Sequence, residues 1–321
     1  MQNFWSLLTK PFSILAPVDG YTDPAYRALV AEIAKPDVLV TEFVSADGLC
    51  SVGKEHLLQI LRFTEAERPI VAQLFGAHPD NMERAAALVA ELGFDGIDLN
   101  MGCPERIIVT QGAGADLIRQ PGLAVKLIKA TIRGAAGLPV SVKTRIGFGQ
   151  NEVSTWIPSL LETGITALTL HGRTRTAMYS GTADWNAIAE AAKLAREAGV
   201  LVIGNGDVSS LEDGRVRARQ YGTDGFMVAR GALGNPYCFA EAFASTQPDL
   251  GLKLKAMTRH LELFARHLAD ARSFVTMRKH FVYYLRGYDN TKDLKMALML
   301  ATTAADVERL VQDFAKHRGI W

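Results

Sequence analysis

The chain of 321 residues is 48% hydrophobic and 21% charged with a formal net charge of +1, too apolar for intrinsic disorder and long enough for a full barrel plus a smaller appendage. No stretch stays apolar long enough to cross a bilayer, and the first residues lack the basic leader and apolar run of a signal peptide, so a cytoplasmic protein without membrane contact is expected. The three cysteines, Cys50, Cys103 and Cys238, are too scattered for a disulfide framework or a zinc site, so no metal is expected.

Along the chain, short apolar and β-branched runs fall at residues 13–16, 38–41, 70–74, 96–100, 140–144, 167–171, 201–204 and 225–228. Helical stretches separate them, such as residues 81–92 and 187–198, with Gly93 and Gly199 at the helix-stop position. Eight βα units in roughly 240 residues predict a (β/α)8 TIM barrel. An open doubly wound sheet is the competing architecture, but no G-x-G-x-x-G follows the first strand.

The strand pattern stops at a breaker-rich segment, residues 247–251, so a barrel domain over 1–247 and an all-helical domain over 248–321 are expected. Apolar spacing in that tail picks out Leu261, Phe264, Ala265 and Leu268, then Phe281, Tyr284 and Leu285 as core. Residues 251–321 hold 13 Lys and Arg against 7 Asp and Glu, so an acidic body carries a basic tail. A polyanionic partner and a merely solvated basic face explain that asymmetry equally well.

The carboxyl ends of barrel strands build active sites, so polar residues there are the candidates. They are Pro17, Val18 and Asp19 after strand one, Gln73 in strand three, and Asn100 with Cys103 after strand four. Lys143 and Arg145 follow at strand five, His171 and Arg173 at strand six, Asn205, Gly206 and Asp207 after strand seven, and Ala229 with Arg230 after strand eight. The loops after strands seven and eight form the common phosphate site of such barrels. Tight βα turns would explain the glycines of one loop alone, whereas two such loops in these places favour phosphate.

Residues 16–23 (Ala-Pro-Val-Asp-Gly-Tyr-Thr-Asp), Asn100-Met101-Gly102-Cys103-Pro104, Lys143-Thr144-Arg145, His171-Gly172-Arg173-Thr174-Arg175, Asn205-Gly206-Asp207 and Met277-Arg278-Lys279-His280 together resemble the tRNA-dihydrouridine synthases, in order and over nearly the whole chain. The resemblance implies FMN held by Pro17, Val18, Asp19, Gln73, Lys143, His171, Asn205, Gly206, Asp207, Ala229 and Arg230. It also implies uracil contacts from Asn100, Arg145 and Arg173, Cys103 as the catalytic acid, and NADPH as electron donor. Reducing the C5=C6 bond of uracil needs a hydride and a proton, and a thiol with a pKa near ~8.5 can supply the second.

tRNA is then the expected partner, bound by a monomer, with Lys253, Lys255, Arg259, Arg266, Arg278, Lys279, Arg286, Lys292 and Lys295 of the tail gripping its backbone. The sequence departs from the family pattern at Val18, Tyr21 and Ala229, and at Ile107-Ile108, where Lys-Val is frequent. An FMN barrel reductase of a small molecule, dihydroorotate or enoate type, and an inactive RNA-binding homologue are the alternatives. RNA retention and flavin colour separate them.

Overall fold

A computed structural model of the protein describes residues 3–321. Its eight main strands are β1 (Phe12–Leu15), β2 (Val38–Val40), β3 (Ile70–Phe75), β4 (Gly96–Met101), β5 (Val140–Arg145), β6 (Ala167–His171), β7 (Leu201–Asn205) and β8 (Gly225–Val228). All pair in parallel, and β1 bonds to both β2 and β8 while β2 bonds to β3, so the sheet closes into a TIM barrel. The expected runs coincide with these strands, no end shifting by more than one residue. An added two-residue strand, Val44–Ser45, pairs in parallel with the carboxyl end of β3.

Every strand turns apolar side chains toward the helices, as a parallel sheet covered by helices requires, while the inner face is apolar in part and polar along β4 and β5. Phe12, Ile14, Val38, Val40, Val71, Ala167, Ile203 and Met227 form one cluster inside the barrel. Their neighbours, such as Leu15, Leu39, Ala72 and Leu168, belong to the separate layer beneath the helices. Trp5, 5.8 Å from the Phe12 ring, closes the inner cluster at the amino-terminal end. With that end sealed, only the opposite mouth is available to a ligand.

The principal helices around the barrel are α1 (Pro24–Ala34), α2 (Pro79–Glu91), α3 (Pro121–Gly134), α4 (Val153–Leu161), α5 (Trp185–Glu197) and α6 (Leu211–Tyr221). α2 and α5 begin two residues before the sequence pattern places them, because Pro79 opens the first and the Asp184 side chain caps the second. Gly93 and Gly199 take left-handed conformations just past their ends, as expected of helix stops.

Beyond the barrel come only helices: α7 (Leu250–His267), α8 (Arg278–Tyr284), α9 (Lys292–Leu300) and α10 (Ala304–His317), with a 3-10 turn at Phe274–Met277. Leu261, Phe264, Leu268, Phe281, Tyr284 and Leu285 are buried as expected. Ala265 is not; Leu263 is buried instead. α7 packs between α1 on one side and α8 and α10 on the other, which turns its buried stripe toward Leu263.

The basic tail also needs correcting. Lys253 is only 2% exposed and its ammonium donates to the Gly234 carbonyl, so it fastens α7 to the barrel and cannot meet RNA. Arg278 donates to the Ala301 and Leu300 carbonyls at the end of α9, and Arg259 is paired with Glu32 and Glu262. Lys255, Arg266, Arg286 and Lys292 remain on the surface.

A buried ion pair joins α1 to the segment before β3. Arg27 Nε lies 2.9 Å from Glu67 Oε2 with both side chains fully buried, and the guanidinium also donates to the Thr22 and Arg62 carbonyls. Removing one member would leave an uncompensated charge, so Glu67→Ala is expected to lower unfolding free energy by about 3–5 kcal/mol in urea titration. A loss below roughly 1 kcal/mol, the scale of exposed pairs, would show that solvent reaches Arg27.

Candidate active site

The carboxyl ends of the strands open into a cleft of about 350 Å³, the size of a small-molecule or cofactor site. Register brings its polar residues side by side: Asn100 pairs with Lys143, Arg145 with His171, and His171 with Asn205. Pro17, Val18 and Asp19 form the wall after β1, and Ala229 and Arg230 the wall after β8.

Beneath the cleft a chain of hydrogen bonds rises through the barrel. Ser141 Oγ donates to Asp98 Oδ1 at 2.6 Å, and Gln73 Nε2 donates to Asp98 Oδ2 at 2.7 Å. Gln73 Oε1 in turn accepts from Asn100 Nδ2 at 2.9 Å. Asn100 Oδ1 then accepts the backbone N–H groups of Gly102 and Cys103 at 3.1 and 2.9 Å. Gln73, expected at the cofactor, is fully buried under the cleft with both amide ends used, so its position is that of a support for Asn100. Burial pushes Asp98 up to about 6, against the Ser141 and Gln73 hydrogen bonds and the Lys143 ammonium.

Lys143 faces the cleft and has no hydrogen-bond partner among the described residues. Burial, then the Arg145 guanidinium, pulls it down to about 8. His171 is held well below the ordinary imidazole range by burial, then by Arg145, Lys143, Arg173 and Arg230, so its ring is neutral.

The β7 loop is shaped for close approach. Gly206 has φ +124°, and a Cβ there would stand 2.6 Å from Ala183 Cβ and 3.0 Å from the His171 ring, so only glycine fits. The adjacent Asp207, itself left-handed at φ 54°, accepts from Arg173, Arg230 and the Ala183 N–H at 2.7 to 2.9 Å. Burial raises the Asp207 pKa, but that N–H and the two guanidiniums hold it below the usual carboxylate range.

Arg173, expected to touch the base, does not line the cleft. It is 4% exposed and donates to Asp207 and to the Ser180 and Gly181 carbonyls. Arg145 holds the other part of the same loop, donating from Nη1 to the Thr174 and Met178 carbonyls and from Nε to the Gly102 carbonyl. Two arginines thus pin the loop that presents Tyr179 to the cleft. Periodicity carried no signal for Tyr179, nor for Phe43, Glu105 and Tyr21, which also line it.

Cys103 lines the same cleft and is 9% exposed. Burial pushes its thiol above the ordinary range, outweighing the Glu105 backbone hydrogen bond and the Arg145 charge, so it stays protonated at neutral pH. Gly114, at φ +59°, packs behind it, and a Cβ there would meet Ile108 at 2.8 Å and the Cys103 carbonyl at 2.9 Å. Ile108 is buried against Cys103, while Ile107 is 70% exposed on the rim.

A TIM barrel with a cofactor-sized cleft and a protonated cysteine on the loop after β4 defines the class. The sequence profile described as dihydrouridine synthase (Dus) matches residues 14–318. "Probable tRNA-dihydrouridine synthase 2" of Bacillus subtilis (strain 168) is 37% identical over 321 residues, covering 98% of this chain and 97% of that one. "Probable tRNA-dihydrouridine synthase" of Staphylococcus aureus (strain COL) is 38% identical over 320 residues, covering 98% and 96%. The chain therefore belongs to the dihydrouridine synthase family. A solved variant of NCR from Zymomonas mobilis shares the barrel fold, with TM-score 0.52 and 17% identity over 73% of this chain and 87% of that one.

No helix among the described residues is long and apolar enough to cross a membrane, and no three of their His, Cys, Asp or Glu side chains converge to hold a metal. The raised Cys103 thiol has a measurable consequence. In a Cys50→Ser background, alkylation of Cys103 followed by peptide mass spectrometry is expected to reach half its limiting rate above pH ~8.5, the free-thiol value. A lower midpoint would mean that the cleft stabilises the thiolate.

Proposed function

We propose that this chain reduces the C5=C6 bond of uridine in tRNA, giving dihydrouridine, with bound FMN, NADPH as the reductant and Cys103 as the proton donor. The observation that carries the reading is the placement of Cys103, its thiol raised by burial, at the wall of a cleft that also holds the unpartnered Lys143. Family membership and the relatives' names supply the substrate class.

The residues fit FMN. An ammonium without a protein partner, Lys143, suits the ring edge that gains negative charge on reduction. Gly206, Ala229 and Arg230, on the loops after β7 and β8, suit a phosphate, because backbone can approach closely there and a guanidinium stands beside it. Pro17, Val18, Asp19 and the neutral His171 would complete the cofactor wall, with Asn205 held by its amide to the Met227 carbonyl at 3.0 Å. When bound and reduced, FMN supplies the hydride for C6.

The chain's own part is orientation and the proton. Asn100 keeps one amide N–H, and Arg145 its Nη2 end, free of protein partners for the uracil carbonyls. The S–H bond of Cys103 breaks as the C5–H bond forms, and the thiolate regains a proton from solvent. NADPH and one proton are consumed per uridine, and NADP+ is released. The base must first leave its stack, with Arg266, Arg286 and Lys292 of the helices from residue 248 onward placed to hold phosphates and the barrel of residues 1–247 doing the chemistry.

Cys103→Ala is expected to keep the yellow colour and tRNA retention while lowering dihydrouridine formation by roughly two to four orders of magnitude. Undiminished product would remove Cys103 from the mechanism. tRNA affinity of the full chain is expected to fall steeply with salt, with a filter-binding slope set by the number of phosphates contacted. Colourless protein that takes up no FMN, or salt-independent RNA binding, would overturn the reading.

A further inference from the structure

We propose that Glu42 is a positioning residue through which the C-terminal helices fix the cleft wall at residues 17–20. The inference rests on the reading that this wall contacts FMN. Glu42 follows β2, is 1% exposed and does not line the cleft. Its Oε1 accepts the backbone N–H of Gly20, and its Oε2 accepts from Arg272 Nη2 at 3.1 Å. Arg272 stands in the turn between α7 and the following 3-10 turn, and its Nη1 lies 3.6 Å from Asp23 Oδ2. One buried carboxyl group, pushed up to about 7 by burial and then by the Asp23 charge, therefore holds a loop of the barrel with one oxygen and the helical unit with the other.

The same loop is gripped a second time. The Lys279 ammonium lies 4.9 Å over the Tyr21 ring, and the His280 and Tyr283 rings stand 5.4 and 5.3 Å from it. Gly20, at φ +74°, has a conformation that disfavours any side chain, and the Lys279 ammonium occupies the space where a Cβ would stand. Inside the loop, the Tyr21 and Thr22 N–H groups both donate to the Val18 carbonyl, at 2.9 and 3.0 Å, so the turn moves as one piece. A shift of Arg272 is thus felt at Val18 and Asp19 in the cleft. Of the segment 277–280, Lys279 and His280 belong to this contact.

A generic staple between the two parts exists elsewhere and serves as the control. Arg259 on α7 donates to both carboxylate oxygens of Glu32 on α1 at 2.8 and 2.9 Å, and neither residue lines the cleft. If Glu42 and Arg272 merely fastened the helices, breaking either pair would have the same consequence. As a positioning device, only the first reaches the cofactor.

The test is a double-mutant cycle in the full chain, with FMN affinity read by flavin fluorescence and tRNA affinity by filter binding. Glu42→Ala and Arg272→Leu are each expected to weaken FMN binding by about tenfold, and the double variant to be no worse than either single within about twofold. Glu42→Gln, which keeps an acceptor for Gly20 and loses the charge pair, is expected to match Arg272→Leu; it also stands in if Glu42→Ala fails to fold. Arg259→Leu is expected to lower Tm with FMN affinity unchanged. Additive losses, unchanged FMN affinity in Glu42→Ala, or an equal FMN loss in Arg259→Leu would overturn the proposal.

Hydrogen exchange without cofactor separates this inference from the reading of the cleft. Amides of residues 17–22 are expected to exchange about tenfold faster in Glu42→Ala and Arg272→Leu than in the parent and in Arg259→Leu. Unchanged exchange there refutes the strap even in a protein that binds FMN. Faster exchange in a protein that binds no FMN keeps the strap and refutes the cofactor reading.

Discussion

The arrangement of the cleft depends on the carboxamide of Asn100. Its oxygen receives the N–H groups of Gly102 and Cys103, fixing the backbone that carries the thiol, while its nitrogen is held by Gln73 and, through it, by Asp98 and Ser141. An amide can do this because it accepts and donates at opposite ends. A carboxylate at the same place could accept from the loop but could give nothing to Gln73. The network also survives a change of charge at Asp98, since the Ser141 hydroxyl can turn from donor to acceptor. The barrel thereby transmits the rigidity of its sheet to the loop, which Arg145 Nε and the Ala115 N–H also hold at the Gly102 and Cys103 carbonyls.

Electrostatics at the mouth are a contest that burial decides. Lys143, Arg145, Arg173 and Arg230 crowd one side around the carboxylate of Asp207, and the Arg145 charge draws the thiol toward its anion. Low solvent access works the other way for Cys103, assisted by the charges of Glu105 and Asp19. It also strips the proton from His171, whose cationic form would add a further positive charge beside Arg145 and Lys143. The outcome is a neutral acid and a neutral imidazole set among arginine cations and a lysine pulled down to about 8, a combination suited to an anionic ligand and a proton transfer in the same space.

Much of this was readable in the sequence because strand ends are punctuated. Asn100, Lys143, His171 and Asn205 each stand where an apolar run gives way to small or polar residues, and all line the cleft. Depth was not readable. Gln73 and Arg173 share the strand-end pattern yet lie beneath or behind the lining, since alternation tells which way a side chain points and not what stands between it and solvent. Lys253 escaped for the same reason: a lysine at helical spacing reads as surface until a carbonyl such as that of Gly234 is found beside it. Glu42 gave no local signal, as its partners are Gly20 and Arg272, separated from it by 22 and 230 positions. Ala265 and Leu263 differ because helix periodicity assumes one packing partner, and α7 has several.

The loop between Arg173 and Gly181 is secured at four carbonyl oxygens, which Arg145 and Arg173 collect, and the Thr174 and Thr176 hydroxyls add bonds within it and to Gly149. Every amino acid brings the same carbonyl. A side chain such as that of Tyr179 can therefore change without bending the path of the chain, whereas Met178, at φ 50°, is held to a left-handed conformation that suits few residues. The protein carries a rim whose chemistry is free to drift while the machinery beneath it stays constant, the property needed for one scaffold to diversify the surroundings it accepts around an unchanged reaction.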